Sequence, residues 1–529
     1  MNALSTDNIN GIQTLGDIAR VHARLRPSAT ALKFEGRTTT YEMLEAQTNR
    51  VAHGLLAAGV AKDDRIGYLA KNTDAFFEIL LGGAKIGAVS LPIGWRLAPA
   101  EIAYLLDNGE VSILFVGMEC GDLARQAIET SGREVRVIEL ECGSQNGYVA
   151  WRDSHSEADP GILISPADTA LQLYTSGTTG RPKGVMLTNS NLLQMWMRAG
   201  QAGIDCYSWA DDDVCLVAMP IAHIGGTGWG VVGLLNGAAL IILREFDPPT
   251  VLGLIEPERI TKLFMVPAAL NFLIQMPGSR AVDYSRLKLI FYGASPIPLD
   301  LLRQSMDVFG CGFCQQYGMT EACGTIVYLP PEDHDPGGNR RMKSAGRAMP
   351  GIEIKIIDKE GNTLPFETVG EVATRSTSNM AGYWKNEEAT RETLDADGWL
   401  RTGDAGYLDE DGYLYIYDRV KDMIISGAEN IYPAEVESAM FGHPAIADVA
   451  IIGVPDDRWG EAVKAVVVLK PGQEANEAEL LAFTRSRIAA FKVPKSVNFV
   501  DALPRNPSGK VLKRTLREPY WAGKDRNVN

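Results

Sequence analysis

The segment Leu173-Tyr174-Thr175-Ser176-Gly177-Thr178-Thr179-Gly180-Arg181-Pro182-Lys183-Gly184 combines hydroxyl side chains, glycines and cations over a short stretch. Glycine permits positive φ and lets several backbone N–H groups approach one anion. The hydroxyls donate further hydrogen bonds, and Lys183 supplies a mobile positive charge. The apolar residues 170–174 predict a strand, so the loop is expected at a strand end. This pattern predicts a polyphosphate site, and with it ATP chemistry.

The chain contains no Walker phosphate-binding loop, whose pattern is Gly-x-x-x-x-Gly-Lys followed by Ser or Thr. Gly509-Lys510 is followed by Val511, and Pro504 stands where the first glycine of that motif would be. A Walker-type phosphotransferase is therefore disfavoured. On composition alone, an ordinary surface turn rich in Ser, Thr and Gly remains the alternative interpretation of residues 173–184.

Bulk composition indicates a large globular protein with an acidic surface. The chain has 529 residues, of which 46% are hydrophobic, and its formal net charge is -15. This length corresponds to roughly three to four domains with real cores. The negative charge argues against nucleic-acid or anionic-membrane binding. Any anionic ligand must therefore be bound by locally placed cations, for which the candidates are Lys183, Arg419, Lys421 and Lys510.

The cysteines predict no disulfide framework, because their number is odd and they are widely spaced. Cys311-Gly312-Phe313-Cys314 has the spacing of a redox motif or half of a zinc site, but no second pair follows at metal spacing. A buried strand is the favoured interpretation. The seven cysteines are Cys120, Cys142, Cys206, Cys215, Cys311, Cys314 and Cys323.

Two segments bear on location. Residues 1–13 lack a charged and then apolar leader, so secretion is not indicated and a reducing cytoplasm is expected. Residues 224–243 carry no charge and have the nominal length of a membrane span. Asn236-Gly237 divides them, however, into a predicted short helix and a strand at 238–243. We therefore expect no transmembrane span.

Residues 40–140 alternate between helix and strand patterns. We expect an amphipathic helix beginning near Tyr41, a strand at 65–70, a helix at 76–86 and strands near Ala88 and at 112–117. Further strands are predicted at 214–219, 263–266 and 287–292. This alternation predicts α/β architecture, with parallel sheets covered by helices and ligands at the carboxyl ends of strands.

After about residue 345 the pattern changes to short strands and turns, as in a barrel-like β region. The predicted strands are 352–357, 370–373, 398–402 and 413–417, with a turn at 358–362. The charged run Asp418-Arg419-Val420-Lys421-Asp422 separates this region from a further α/β unit of about 110 residues. We therefore predict an N-terminal domain of residues 1–418, a C-terminal domain of residues 419–529 and a hinge near 418–421.

Five further segments follow the glycine-rich loop in order: Tyr292-Gly293-Ala294-Ser295, Tyr317-Gly318-Met319-Thr320-Glu321, Arg401-Thr402-Gly403-Asp404, Asp418-Arg419-Val420-Lys421-Asp422 and Asn506-Pro507-Ser508-Gly509-Lys510. With these motifs the chain resembles the acyl-adenylate-forming superfamily of acyl-CoA synthetases, adenylation domains and firefly luciferase. The resemblance covers about residues 15 to 515 and is greatest to ligases that join medium- or long-chain fatty acids, or aryl acids, to CoA.

The resemblance implies a large N-terminal domain of two sheet-and-helix subdomains and a distorted β-barrel, joined by a hinge to a small mobile C-terminal α/β lid. It also implies a reaction in two steps. A carboxylate is first joined to the α-phosphate of Mg-ATP with release of pyrophosphate, and the lid then rotates so that the thiol of CoA displaces AMP. The implied ligands are a carboxylic acid, ATP, Mg²⁺ and CoA, with a monomer or homodimer expected and peripheral membrane contact left open.

Roles in nucleotide and metal binding follow from these motifs. Glu321 is expected to coordinate Mg²⁺ through carboxylate oxygen, beside the hydroxyl of Thr320. Tyr317 offers an aromatic face for adenine, and Asp404 can accept hydrogen bonds from two ribose hydroxyls. Arg419 would support the ribose or phosphate. The further candidates for nucleotide or CoA contact are Thr175, Ser176, Gly177, Thr178, Thr179, Gly180, Lys183, Gly293, Ala294, Ser295, Gln316, Gly318, Met319, Ser426, Gly427 and Ala428.

Two lysines are assigned to the moving C-terminal part. Lys510 is the expected catalytic cation of adenylation, because negative charge develops between the carboxylate and the α-phosphate. Lys421 matches the hinge position of the family, where a backbone change swings the lid. After that swing, residues 426–430 would line the thiol entrance, and Ala428 stands where many relatives have a second glycine.

His223 matches a family histidine that helps to position the carboxylate, although Ala222 replaces the aromatic residue that commonly precedes it. Small residues after His223 leave space for the acid. Gln316 adds a polar contact where some relatives have glycine, which favours an oxygenated or aryl acid. The candidates for the acid pocket are Gly225, Gly226, Gly228, Trp229, Met265, Gln316 and Thr325.

Several functions compete with CoA ligation. Loading of a carrier-protein thiol differs only in the acceptor, and residues 351–399 show no insertion of the kind found in carrier-loading relatives, so CoA is favoured. A luciferase-like oxygenase needs more assumptions. A nicotinamide-dependent oxidoreductase is a further alternative. Its Gly-x-Gly-x-x-Gly pattern is formally matched by Gly228-Trp229-Gly230-Val231-Val232-Gly233, but this segment does not directly follow a strand. A non-catalytic binding protein is disfavoured by the presence of Lys510 and Glu321.

Overall fold

The structure, a computed structural model, describes residues 11–141, 147–175, 181–419, 422–426, 429–456, 458–505 and 510–522. Helices of the first half are α1 (Leu15–Leu25), α2 (Tyr41–Ala57), α3 (Asp74–Ala84), α4 (Pro99–Asn108), α5 (Gly121–Ser131), α6 (Tyr148–Asp153), α7 (Asn189–Gln201) and α8 (Ile224–Leu235). Those that follow are α9 (Pro248–Ile255), α10 (Pro267–Gln275), α11 (Leu299–Phe309), α12 (Glu387–Thr393), α13 (Pro433–Phe441), α14 (Glu477–Arg485) and α15 (Lys513–Trp521).

A nine-stranded sheet has the order β15-β14-β13-β12-β11-β9-β10-β1-β2. Its strands are β1 (Thr30–Phe34), β2 (Arg37–Thr40), β9 (Val214–Val217), β10 (Ala239–Ile242), β11 (Lys262–Met265), β12 (Leu289–Gly293), β13 (Gly312–Tyr317), β14 (Val327–Leu329) and β15 (Arg347–Ala348). The central pairs from β10 to β13 are parallel, as predicted. The carboxyl ends of β11, β12 and β13 therefore meet at one edge, where a ligand is expected.

A seven-stranded sheet has the order β18-β8-β7-β4-β3-β5-β6. Its strands are β3 (Arg65–Leu69), β4 (Val89–Ile93), β5 (Ile113–Val116), β6 (Arg136–Glu139), β7 (Thr169–Thr175), β8 (Lys183–Thr188) and β18 (Gly382–Tyr383). Its pairs from β6 to β7 are parallel, but β8 runs antiparallel to β7. Residues 176–182 are too few for the crossover that a parallel pair requires, so β8 returns beside β7.

Residues after the nine-stranded sheet form a four-stranded antiparallel sheet, which is a half-barrel. Its order is β16 (Glu353–Ile357), β17 (Gly370–Arg375), β19 (Trp399–Leu408) and β20 (Leu414–Arg419). The predicted barrel-like region is confirmed. The third strand is longer than the predicted segment 398–402, because its pairing with β20 continues from Asp404 to Leu408.

The C-terminal residues form a small α/β domain with its own sheet and core. The strands are β21 (Ile424–Ser426), β22 (Glu429–Ile431), β23 (Ile446–Asp456), β24 (Gly460–Leu469) and β25 (Ser496–Phe499), in the order β22-β21-β24-β23 with β25 paired to β24. Apolar side chains of α13, β23 and β24 form a buried cluster of their own, separate from the main core. The predicted α/β fold class is thereby confirmed.

Several local predictions are confirmed with boundaries shifted by one to two residues. The helix predicted at 76–86 is α3, and the uncharged segment after His223 forms α8 and then β10. Among the described helices, none has the length and apolar character needed to cross a bilayer. Cys314 lies in β13 and is buried, and this burial raises the pKa of its thiol well above the usual range. The described cysteines are free thiols.

Candidate functional site

Glu321 lies where three segments of the chain meet. It belongs to the short 3-10 helix Thr320–Ala322 that follows β13, and its side chain is buried. Its Oε1 accepts a hydrogen bond from Thr175 Oγ1 at 3.2 Å and one from Tyr383 OH at 2.9 Å. The strand ends of the seven-stranded sheet thus place a threonine and a tyrosine on one oxygen of this carboxylate.

The same tyrosine lies beside Lys183, the first residue of β8. The ammonium Nζ of Lys183 is 4.9 Å from the ring centroid of Tyr383, within the range of a cation–π contact. Lys183 is also the register partner of Thr175 across β7 and β8. Tyr383 therefore contacts both the predicted phosphate-binding cation Lys183 and the Glu321 carboxylate. The predicted loop residues Ser176, Gly177, Thr178, Thr179 and Gly180 lie outside the described residues.

Tyr317 and Asp404 meet at the boundary between the nine-stranded sheet and the half-barrel. Tyr317 is the last residue of β13, and its hydroxyl donates a hydrogen bond to Asp404 Oδ2 at 2.6 Å. The backbone N–H of Asp404 donates to Thr402 Oγ1 at 3.1 Å. In the β19–β20 register, Asp404 stands opposite Arg419. The two residues predicted to contact adenine and ribose are therefore in direct contact.

The ends of β12 and β13 approach each other closely through glycine. A Cβ on Gly293 would lie 2.1 Å from the backbone oxygen of Gln316, and one on Gly318 would lie 2.5 Å from that of Gly324. No side chain fits at either position without moving backbone. Ala294 has φ of +67°, the left-handed region that favours glycine. The strand edge beside Tyr317 therefore carries a strained backbone turn, in which Ala294 is exposed and Ser295 is half-buried.

His223 directly precedes α8. Its Nε2 is buried and has no hydrogen-bond partner within the part of the chain that the structure describes. Burial lowers the pKa of its imidazole to about 4, so the ring is neutral near pH 7. The ring borders a small cavity that Trp95 and Arg96 also line. A buried ring nitrogen without a protein partner is suited to contact a bound polar group.

The first turn of α8 lies over one face of the nine-stranded sheet. A Cβ on Gly225 would lie 3.0 Å from the Phe264 ring, and one on Gly226 would lie 2.3 Å from the backbone oxygen of Pro220. A Cβ on Gly228 would lie 3.2 Å from the Ile224 side chain. Gly225 therefore permits the helix to lie directly against the Phe264 ring of β11, and Gly226 permits its close approach to the preceding segment at Pro220.

Strand register decides which predicted pocket residues share that face. Register partners point to the same side of a sheet, and successive residues alternate. Phe264 pairs with Phe291, and Gly293 pairs with Gln316, so these four share one face. Met265 pairs with Tyr292 on the opposite face.

The remaining pocket candidates are buried. Trp229 packs on Phe291 with ring centroids 5.1 Å apart and donates its indole N–H to the backbone oxygen of Leu216 at 3.0 Å. Thr325 follows Gly324 in the turn between β13 and β14 and is also buried. The structure thus brings Gln316, Trp229 and the α8 glycines to one side of the sheet, and Met265 to the other.

Three residues that contact the predicted site residues were not themselves predicted from the sequence. These are Tyr383 against Glu321, Phe264 beneath Gly225, and Tyr207, whose hydroxyl oxygen accepts a hydrogen bond from Gln316 Nε2 at 3.2 Å. Each contact joins distant segments of the chain, and a single sequence carries no signal for such pairing. Phe264 alone had a local signal, because it precedes Met265 in a predicted strand.

The candidates of the C-terminal part are only partly described. Ser426 ends β21 and is half-buried, and Lys510 is exposed beside the backbone pair Arg505 and Val511. Arg419 ends β20. Lys421, Gly427 and Ala428 lie outside the described residues.

Two family descriptions match this chain. The first, AMP-binding enzyme, matches residues 19–384, and the second, AMP-binding enzyme C-terminal domain, matches residues 435–510. Together they include the region of Thr175, Glu321 and Tyr383 as well as most of the C-terminal domain.

Similar proteins include ligases and synthases. The chain is 41% identical to the fatty acid–[acyl-carrier-protein] ligase ScoC of Streptomyces coeruleorubidus, over 98% of each chain. It is 38% identical to a feruloyl-CoA synthase of an Amycolatopsis species, over 96% of this chain and 99% of the other. Its structure is similar to that of ATP-bound MatB from Rhodopseudomonas palustris, with a TM-score of 0.85, 32% identity, and coverage of 96% of this chain and 99% of that chain.

Proposed function

Because the chain belongs to the AMP-binding enzyme family, we propose that it is an acid–thiol ligase that uses ATP to join a carboxylic acid to CoA. A carboxylate oxygen attacks the α-phosphorus, and the bond to pyrophosphate breaks. The thiol then attacks the acyl carbon, and the bond to AMP breaks. The observation that carries this proposal is the contact of Glu321 with Thr175 and Tyr383 at the end of the predicted polyphosphate loop.

The nucleoside of ATP is assigned to the strand edge around Tyr317. Adenine would stack on its ring, next to the close backbone of Gly293, Ala294 and Ser295. The Asp404 carboxylate would accept hydrogen bonds from the ribose hydroxyls. The hydrogen bond between Tyr317 and Asp404 supports this assignment, because it fixes the ring and the carboxylate relative to each other.

Mg²⁺ is assigned to Glu321. This ion usually retains several waters and binds through one or two carboxylates together with substrate phosphates. No cluster of three or more His, Cys, Asp or Glu side chains suited to a metal occurs among the described residues. The residues fit the ion, because Oε1 of Glu321 accepts the hydrogen bonds from Thr175 and Tyr383 while the carboxylate still offers Oε2. The ion would supply charge neutralisation on the phosphates.

The acid is assigned to the space between the first turn of α8 and the face that carries Gln316. His223, neutral near pH 7, would contact its carboxylate from the helix start. The positive end of the α8 dipole favours a carboxylate at the same place. Lys510 would approach from the C-terminal domain and stabilise charge on the carboxylate and the α-phosphate, a contact on the order of 4 kcal/mol before desolvation.

We place the division between domains at residues 1–418 and 419–529, with Lys421 in the hinge. The rings of Tyr417 and Tyr432 stack across this boundary, with centroids 4.4 Å apart. Asn271 Nδ2 also donates to the backbone oxygen of Ala447 at 3.4 Å. Relative motion is the default expectation for two domains joined by a short segment, and we propose that the C-terminal domain rotates about this hinge. Rotation would bring Ser426, Gly427 and Ala428 to the thiol.

A second acceptor has a specific observation in its favour. ScoC, which is 41% identical, is named as a ligase for an acyl carrier protein. CoA and a carrier protein present the same pantetheine thiol, so the adenylation site is common to both. Purified protein assayed for AMP formation with acid alone, with acid and CoA, and with acid and a holo carrier protein separates the two. Thioester on CoA supports the proposal, and thioester on the carrier alone overturns the choice of CoA.

We further propose a monomer or homodimer in a reducing cytoplasm. Cys206 and Cys314 are free thiols, and Cys314 Sγ donates a hydrogen bond to Cys206 Sγ at 3.7 Å. The cytoplasm of most organisms keeps such thiols reduced. Size-exclusion chromatography with light scattering would decide the oligomeric state.

A further inference from the structure

A continuous aromatic cluster lies behind Gln316. Tyr207 ends the short 3-10 helix Asp205–Tyr207 that follows α7, and its ring stacks on Phe291 with centroids 5.5 Å apart and planes 26° apart. Trp196 and Tyr328 pack against the same ring in edge-to-face arrangements, with ring centroids 5.6 and 5.5 Å from that of Tyr207. Tyr207 is 4% exposed. The space beyond Gln316 on this face is therefore filled by rings.

Gln316 is turned toward that cluster. Its Nε2 donates to Tyr207 OH at 3.2 Å, so the carboxamide is directed by a residue 109 positions away in sequence. The same side chain shares its sheet face with Phe264, Phe291 and the first turn of α8. It thus stands between the space assigned to the acid and the rings behind it.

We propose that Tyr207 is a positioning residue that sets the depth and polarity of the acid pocket by holding the Gln316 carboxamide across its end. This inference rests on the proposed function and narrows it. A short or planar acid that carries a hydrogen-bonding group at the end opposite its carboxylate can form a hydrogen bond with the fixed Gln316 carboxamide. A long alkyl chain meets the same amide, with which it forms no hydrogen bond, and then packed rings that leave it no room.

Two physical arguments support this preference. Protein interiors are packed to crystal-like density, and a pocket cannot lengthen past Tyr207 without moving Trp196, Phe291 or Tyr328. Binding of an apolar group against a buried amide is strongly disfavoured, because the amide is left without a hydrogen-bonding partner. A purely hydrophobic pocket, by contrast, discriminates only weakly between acids that differ by a methylene. Polarity and depth therefore act together against long alkyl acids.

The test compares acids, not total rates. AMP formation by the full-length protein is measured with octanoate, decanoate and dodecanoate, and with the pair cinnamate and 4-hydroxycinnamate. Wild type is expected to show kcat/KM at least tenfold higher for 4-hydroxycinnamate than for cinnamate or dodecanoate. Tyr207→Phe keeps the ring and removes the hydroxyl, so its preference for the hydroxylated acid is expected to fall about tenfold with the chain-length profile unchanged.

Tyr207→Ala removes the ring, and dodecanoate is then expected to gain at least tenfold relative to 4-hydroxycinnamate. If this variant melts far below wild type, Gln316→Ala serves as the second variant with the same expected change. Tyr328→Phe is the matched control, because it alters a hydroxyl in the same cluster without touching the Gln316 hydrogen bond. Its ratios are expected to equal those of wild type.

Ratios between acids separate this role from general destabilisation, which lowers all rates together. Unchanged ratios in the Tyr207 and Gln316 variants, with AMP still formed, overturn the pocket assignment and leave the ligase function standing. A wild type that prefers dodecanoate also overturns it. Absence of AMP with every acid in wild type contradicts the proposed function itself, and this inference with it.

Discussion

The hydroxyl of Tyr317 donates a hydrogen bond to Oδ2 of Asp404 at 2.6 Å, which links the last residue of β13 to the half-barrel strand β19. The proposed nucleoside site depends on this pair. Tyr317→Phe keeps the aromatic face and removes the hydroxyl, so we expect the KM for ATP to rise about tenfold with a small change in kcat. A hydrogen bond to a carboxylate has about this energetic value, roughly 1.5–3 kcal/mol.

Tyr413→Phe is a matched control for this variant. Tyr413 donates a hydrogen bond of the same length, 2.6 Å, to Asp333 Oδ2 away from the proposed site. Steady-state kinetics with varied ATP should leave the KM of the control near that of wild type. An equal rise in both variants would indicate a general loss of structure and would remove Tyr317 from nucleotide binding.

Glu321→Gln keeps the shape of the side chain and removes its charge. The amide introduced by this substitution could still accept the hydrogen bonds from Thr175 and Tyr383 through its carbonyl oxygen. We expect the Mg²⁺ concentration for half-maximal activity to rise at least tenfold, because a neutral amide is a weaker ligand for a hard cation. Magnesium titration of acid-dependent pyrophosphate release measures this.

Glu78→Gln provides the comparison, since Glu78 is a buried carboxylate that also accepts from a tyrosine, Tyr148, at 2.8 Å. Its magnesium requirement should match wild type even if its melting temperature falls. A Glu321→Gln enzyme with an unaltered magnesium requirement would exclude Glu321 as the ligand.

Lys510→Ala should lose adenylation by about a hundredfold or more, because the cation stabilises charge that develops in the first half-reaction. Transfer from a preformed acyl-adenylate to CoA should persist. Lys513→Ala, which breaks the ion pair of Lys513 with Glu437 at 2.9 Å, controls for loss of a lysine in the same segment. Equal losses in both half-reactions of the Lys510 variant would reject its assignment.

The buried His22 side chain should make the stability of the fold sensitive to acid. It is fully buried, and burial together with nearby Arg26 lowers the pKa of its imidazole to about 4. The unfolded chain binds this proton below about pH 6.5, so the free energy of unfolding falls as pH decreases from about 6.5 to 4, by about 3 kcal/mol in total. Above pH 6.5 the contribution is complete.

Melting temperatures of wild type and His22→Leu between pH 7 and pH 5 check this effect. The variant should start lower, because it loses the contact of His22 Nε2 with the Leu235 oxygen at 2.9 Å. Its melting temperature should nevertheless decline less with pH. His223, which also has a pKa of about 4, acts with the same sign, so some decline remains. Parallel curves would refute the role of His22.

The sequence predicts elements of this fold well where the signal is local. Alternating apolar patterns place the central strands and α3 to within two residues, and Asn236-Gly237 correctly divides α8 from β10. The antiparallel return of β8 is less evident, because the apolar pattern of a buried strand carries no direction. Motif spacing brings Tyr317, Glu321 and Asp404 to notice, but it says nothing of Tyr383, which contacts Glu321.

The sequence does not predict contacts between residues that are far apart in the chain. It also does not predict which side chains of neighbouring strands lie on the same face of a sheet. Tyr383 contacts Glu321 only because β18 adds to the edge of the seven-stranded sheet. Met265 and Gln316 lie on opposite faces of the sheet because of a register that three strands, β11, β12 and β13, determine together. A shift of one residue in that register would exchange the faces, and no single strand contains the information to fix it.

The central claim is that a carboxylate oxygen of the acid becomes bonded to the α-phosphorus before the thiol attacks. An acid labelled with ¹⁸O in its carboxylate, incubated with the protein, ATP, Mg²⁺ and CoA, tests this directly by mass spectrometry of the products. The account predicts one labelled oxygen in AMP and none in pyrophosphate. Label in inorganic phosphate or pyrophosphate, or thioester formed with unlabelled AMP, would contradict it.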